Sequence, residues 1–203
     1  MKKNRFFVIA LLCMVVQASW AQNGTVNYIY YTVNDDGKTV TRHTDGSQET
    51  YSELTSTTNV TNSTFTNDGG WWVVRGEVTH TGRINVEKDT WIVLCDHANL
   101  SAGKGIYIKK DVTLTIVAES EGYASGMIHT FGYDGGAAIG GNANTLGGHL
   151  VIHGGEIFAN GGVNNVAGIG GGNGENSGIQ SVTIYGGDIT VLGTNDAASH
   201  GKG

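Results

Sequence analysis

Two pairs of side chains recur one repeat apart in the second half of this chain: His153 with Tyr185, and Glu156 with Asp188. Each pair flanks a Gly-Gly corner, in "VIHGGEI" (151–157) and "TIYGGDI" (183–189). On short strands joined by such corners all four point outward, and equivalent positions in neighbouring strands stack about 4.8 Å apart. The spacing therefore predicts one column of flat rings and one column of carboxylates. Rings stack on the apolar faces of sugars, and carboxylates accept hydrogen bonds from their hydroxyls, so the chemistry this pattern suits is glycan binding without bond cleavage. The bland alternative is four ordinary solvated residues beside a turn.

Other groups that could do chemistry are weaker. The stretch "VAGIGGGNGENSG" (166–178) is rich in glycine, but the G-x-G-x-x-G frames that start at Gly168, Gly170 and Gly172 end on Asn173, Glu175 and Ser177. No G-x-x-x-x-G-K-[ST] is present, and no helical pattern follows to supply an N-terminal dipole, which argues against phosphate binding. "GGNGENSGI" from Gly171 approximates a calcium-binding nonapeptide, yet Asn176 stands where an Asp is required and Gly178 where an apolar residue is. Calcium stays an alternative ligand, through that loop or the acidic column; the main reading calls for no cofactor. The set Ser125, His129 and Asp134 resembles a catalytic triad in composition but reads as part of a glycine-rich loop without a nucleophile elbow. His149 and His153 lie four apart, which in a strand is one face only at long reach. Enzymatic cleavage of a polysaccharide is the third-ranked function. Cys95, in "TWIVLCDH", reads as a small buried side chain.

The elements that must position these residues are strands. Residues 27–44, "NYIYYTVNDDGKTVTRHT", alternate apolar and polar positions around Asp36-Gly37, a hairpin signal. A Thr/Ser/Asn-rich linker follows at 55–68, and strand-like runs resume at "WWVVRGEV", "RINV", "TWIVLC", "GIYIKK" and "VTLTIV". Beyond them a unit of about 30 residues repeats. Ile139 aligns with Ile169, Gly140-Gly141 with Gly170-Gly171, and Leu150, Ile152, Ile157 and Ala159 with Val182, Ile184, Ile189 and Val191. A third copy, "ASHGKG", opens at Ala198 with His200 in the inward place of Ile139 and Ile169. Period-two alternation broken by Gly-Gly corners predicts an all-β chain: a short N-terminal hairpin, then a right-handed parallel β-helix. One turn of such a helix cannot bury enough apolar surface alone, so it needs neighbours above and below. Trp71, Trp72 and Trp91, near its start, are expected to cap the open end rather than bind ligand.

The arrangement "GWWVVRGEV…AAIGGN…GGHLVIHGGEIFANGG…AGIGGG" resembles the glycine-rich β-helix repeats of secreted bacterial surface proteins over roughly 69–203. That resemblance implies carbohydrate binding or adhesion. Units of the "AGIGGG" type typically recur many times in the family, whereas here two complete copies precede the partial third. The expected divisions are a signal peptide at 1–21, the hairpin and linker at 22–68, and the β-helix at 69–203, cut off mid-repeat. An uncapped last coil is expected to self-associate or to need a partner.

The 203 residues carry a formal charge of −6. Lys2, Lys3 and Arg5, the apolar run 6–16, and Ser19 and Ala21 make a cleavable export signal too short to span a bilayer. Export places the mature protein outside the cytoplasm: extracellular, periplasmic or at the cell surface. No Lys or Arg lies between Lys110 and Lys202, whereas Glu119, Glu121, Asp134, Glu156, Glu175, Asp188 and Asp196 do. Such a surface repels nucleic acid and suits neutral ligands. No later segment is apolar enough to cross a membrane. The expectation is a secreted or cell-surface, non-catalytic binding or adhesion protein with a polysaccharide or glycan partner; the alternative is a structural spacer that displays other modules.

Overall fold

A computed structural model describes residues 24–35, 37–54, 70–162 and 166–193. The signal segment 1–21, the linker 55–68 and the third repeat copy at 198–203, with His200, lie outside the described residues.

The alternating runs of the first half form strands in the expected places. β1 (Val26–Val33) and β2 (Val40–Gln48) make the antiparallel hairpin, and β3 (Ser52–Glu53) follows it. β4 (Gly70–Val74) and β5 (Glu77–His80) arise from "WWVVRGEV", broken at Arg75-Gly76, where Gly76 takes a φ of 59°. β6 (Ile84–Val86), β7 (Thr90–Leu94), β9 (Ile106–Ile108) and β10 (Thr113–Ala118) account for the next four runs. Three strands lie outside the runs expected from the sequence: β3, β8 (Asn99–Ala102) and β11 (Met127–Phe131). The second half adds β12 (Ile139–Gly140), β13 (Leu146–Ile152), β14 (Glu156–Asn160), β15 (Ile169–Gly170), β16 (Gly178–Ile184) and β17 (Asp188–Leu192). One 3-10 turn, Gly122–Ala124, is the only helical element among the described residues. The protein is all-β, and its sheets are mostly parallel.

From β4 onward, strands pair three elements apart. β3, β4, β7, β10, β13 and β16 form one sheet, β5, β8, β11, β14 and β17 a second, and β6, β9, β12 and β15 a third. The chain thus visits the three sheets in rotation, and each circuit lies in parallel register on the one before. Registers between the two repeat copies are those read from the sequence: Ile139 on Ile169, Leu150 on Val182, Ile152 on Ile184, Ile157 on Ile189 and Ala159 on Val191.

The core lies between the sheets as stacked aliphatic columns. Ile84, Ile106, Ile139 and Ile169 make one, all buried. Trp72, Ile92, Ile116, Ile152 and Ile184 make another, and Val78, Leu100, Ile128, Ile157 and Ile189 a third. Apolar side chains in register exclude water along these columns and leave few voids up to Ile184, which is 44% exposed. Thr130, fully buried among them, donates its hydroxyl to the Ala138 carbonyl (3.1 Å), which satisfies its polar group.

Corner glycines permit the stacking. Gly140 has a φ of +132° and pairs with Gly170, and a Cβ on it would overlap the Gly170 carbonyl oxygen. The three tryptophans divide. Trp72 faces inward at the head of its column, with β3 paired in front of it at Ser52. Trp71 and Trp91 face outward and stack on each other, centroids 4.6 Å apart.

The hairpin lies across the outer face of the first sheet. Ile29 pairs with Ala118, and the Tyr28 ring sits 5.1 Å from Trp71. Outward-facing Val73, Val93 and Val117 are consequently fully buried, so these strands are apolar on both faces.

Candidate functional site

One position past the Ile116–Ile152 and Ile152–Ile184 pairs, the outward column continues from Val117 to His153 and Tyr185. The expected ring pair is present: His153 and Tyr185 stack with centroids 5.0 Å apart and planes within 10°. His153, however, does not stand open to solvent. It is 6% exposed, with Trp91 parallel to it at 6.2 Å and Tyr31 of the hairpin at 6.3 Å. The expectation of an outward ring open to ligand fails at His153 because the hairpin folds back onto this face.

The Tyr31 backbone N–H donates to His153 Nδ1 at 3.0 Å. A backbone N–H can only donate, so Nδ1 carries its lone pair and the ring is neutral, with its proton on Nε2. Burial lowers the His153 pKa below the ordinary imidazole value. The Tyr31 hydroxyl donates to Glu121 Oε1 (2.6 Å), and Arg42 grips the same carboxylate through Nε and Nη2 (3.1 and 3.0 Å). The hydrogen bond from Arg42 and then that from Tyr31 hold Glu121 below the usual carboxylate range, while the bond to Glu121 raises the Tyr31 phenol.

The carboxylate column has the opposite surroundings. Glu156 and Asp188 are Cα partners on β14 and β17, and both are exposed. They line a cleft of about 510 Å3 with Glu121, Tyr123, Ser125 and the corner glycines Gly155 and Gly187. Neither Glu156 nor Asp188 takes part in the ion pairs of the described residues, Arg42–Glu121 and Arg75–Glu53. Tyr123, on the 3-10 turn, is 99% exposed, and its ring stands edge-on to His97, centroids 6.0 Å apart. Gly122, at a φ of +69°, starts the turn that presents it. A flat exposed ring beside hydrogen-bond acceptors can pack on a sugar face while the carboxylates take its hydroxyls. Tyr123 and Glu121 do not stand out in the sequence because "ESEGYASG" has no repeat counterpart; its one signal is a lone aromatic in a Gly/Ser loop.

His129 lies on β11, paired with β8 and β14, and not in a loop as the sequence reading had it. Ile128 and Thr130, which flank it, supply the inward positions of that strand. Ser125 directs its hydroxyl to the Gly126 carbonyl (3.4 Å), His129 packs on Phe158 (5.4 Å), and Asp134 occupies a turn with a φ of 50°. No hydrogen bond joins the three among the described residues. His149 Nδ1 meets the Ser181 hydroxyl at 2.8 Å. In the glycine-rich loop, the Ser177 hydroxyl reaches the carbonyls of Gly172 and Gly174 (2.5 and 2.7 Å), and the Asn173 N–H donates to the Gly135 carbonyl. Those contacts fasten the loop to itself and to the preceding circuit. Among the described residues no three His, Cys, Asp or Glu side chains are grouped to hold a metal ion. Cys95 is buried, and burial pushes its thiol up to about 12, so at neutral pH it is not a thiolate.

A second cavity of about 510 Å3 is lined by Arg83, Lys104, Tyr133, Asp134, Asn142 and Thr145. Arg83 is a staple within it, donating to the carbonyls of Lys104 (2.6 Å) and Ala137 (2.9 Å). Burial lowers its guanidinium to about 10, an effect that Asp134 partly offsets. Lys104 rests on the Tyr133 ring, 5.0 Å from its centroid.

No helix among the described residues is long and apolar enough to cross a membrane. No family model, no curated protein and no solved structure matches the chain.

Proposed function

We propose that this is an exported binding module, built as a right-handed parallel β-helix, that takes neutral glycans without cleaving them through the cleft of Tyr123, Glu156 and Asp188. The observation that carries the reading is Tyr123, whose ring is almost wholly exposed beside two carboxylates that no ion pair among the described residues engages. A large aromatic side chain held out in water buries nothing for the fold, and a sugar ring is the kind of surface it would cover. The β-helix is supported by the rotation of the chain through three parallel sheets, and its hand by the strong preference of parallel crossovers for right-handed connection. Export is supported by the basic start, the apolar run and Ser19 and Ala21, as is a family likeness to secreted surface proteins by the "AGIGG" and "GGxI" repeats. The acid-rich second half favours neutral over anionic polysaccharides.

The test is retention of the protein on a panel of immobilised neutral and acidic polysaccharides. Retention on a neutral glycan that falls at least tenfold in Glu156→Gln/Asp188→Asn is the expected result. Retention on nothing in the panel would leave the spacer reading, which the continuous buried columns favour. New reducing ends or unsaturated products would replace binding with catalysis.

A further inference from the structure

The hairpin is not uniformly attached. Its inner half is anchored by apolar burial: Val26 is fully buried, Ile29 pairs with Ala118 and Tyr28 packs on Trp71. The outer half, described at 30–35 and 37–42, buries little, and Val33 and Val40 are each 47% exposed. Between the halves the β1–β2 register shifts at Tyr28–Tyr30, a bulge that bends the strand. Outside the bulge, the described anchors centre on Tyr31 and Arg42: Tyr31 N–H to His153 Nδ1, Tyr31 hydroxyl to Glu121 and Arg42 to Glu121, with the Tyr31 ring parallel to His153 and Tyr185 at 6.3 and 6.4 Å.

We propose that the outer half of the hairpin is an acid-released flap, hinged at the bulge and latched on His153, that covers the His153–Tyr185 ring pair at neutral pH and uncovers it when His153 takes a proton. Protonation puts an N–H on Nδ1, facing the Tyr31 N–H at 3.0 Å. The bond is lost and two donors oppose each other, beside a cation that burial disfavours. The groups packed around the imidazole are the Tyr31 and Tyr185 phenols and Trp91, with the Glu121–Arg42 pair beyond Tyr31. None offers His153 a counter-charge, because Glu121 is already shared by Arg42 and Tyr31. His43 is the other imidazole on the hairpin. It stacks on Tyr30 and meets the Thr32 hydroxyl (2.8 Å), which can turn to accept as well as donate, so its protonation breaks nothing.

The sign follows from the direction of the shift. The folded His153 titrates below about 6.5, the ordinary imidazole value, so the latch is fully engaged above that pH and is lost as pH falls through the lower folded value. Glu121, also depressed, stays ionised over that range, but its pair with Arg42 is solvent-exposed and too weak to hold the outer half closed by itself.

Amide hydrogen exchange of Tyr31 reads the latch directly in the whole chain without any glycan, so its failure is separate from failure of the binding reading. Protection, corrected for intrinsic exchange, should fall at least tenfold between pH 7 and pH 5 in the wild type. It should fall the same way in His43→Gln but by less than twofold in His153→Asn, whose Oδ1 keeps an acceptor at the place of Nδ1 without titrating. Unchanged wild-type protection down to pH 5, or the same loss in His153→Asn, would overturn the flap. If His153→Asn does not fold, the wild-type imidazole 15N shifts decide. Their midpoint must coincide with the exchange midpoint, and a mismatch overturns the proposal.

Discussion

His153 and Glu156 stand on either side of one Gly-Gly corner, as do Tyr185 and Asp188 in the next circuit, yet the two sides of the corner are different places. On the first sheet the rings are stacked, half-covered or buried, and joined by a hairpin from more than a hundred residues upstream. On the second sheet the carboxylates face an open cleft beside an exposed tyrosine. The same repeat unit supplies both. What separates them is which sheet another part of the chain lies on, and so an aromatic column can be a docking surface for the protein itself while its neighbour is left for a ligand.

Substitutions can break that division, and the largest effect is expected at the frame both sides share. Gly140→Ala must place a Cβ against the Gly170 carbonyl at a φ that L-residues rarely adopt. A loss of more than about 3 kcal/mol is expected, measured by urea unfolding; a loss under 1 kcal/mol would mean the corner is not needed for stacking. Trp91→Ala tests the covered side. A fully buried Trp costs about 3–5 kcal/mol on truncation, and Trp91 is half-buried between Trp71, Tyr28 and His153. A loss of about 2 kcal/mol is expected, with faster cleavage of the hairpin by protease. Tyr123→Ala tests the open side. Its stability should stay within about 0.5 kcal/mol of wild type, while retention on the bound glycan falls at least tenfold. If Tyr123→Ala destabilises as much as Trp91→Ala, the contrast between covered and open sides collapses.

Legibility in the sequence followed repetition. Ile139 and Ile169, Leu150 and Val182, and Glu156 and Asp188 were aligned without a structure, since two circuits of similar length carry the same alternation. The isoleucine column in fact extends back through Ile106 to Ile84. Earlier circuits are unequal, 22 residues from Ile84 to Ile106 and 33 from Ile106 to Ile139, and neither Ile84 nor Ile106 sits in an "AGIGG" corner, so no constant period exposes them. β11 escaped notice because its five residues, "MIHTF", lie between glycine-rich turns; pairing with β8 and β14 makes it a strand. Tyr123 belongs to a turn found in one circuit alone. Pattern reading cannot find a residue that has no counterpart.

Local alternation and the glycine corners are short-range steric facts, and they are enough to make this chain all-β, to set which residues share a column and to hold successive copies in register. Those the sequence carries by itself. That His153 accepts a hydrogen bond from Tyr31, that Val73, Val93 and Val117 are buried on the outer face, and that Glu121 is held by Arg42 depend on where the hairpin lies. The hairpin's position is a long-range packing result, set by Ile29 against Ala118 and Tyr28 against Trp71. No local pattern in the sequence encodes a contact across 122 residues, so only the tertiary structure could decide which of the outward columns remained open.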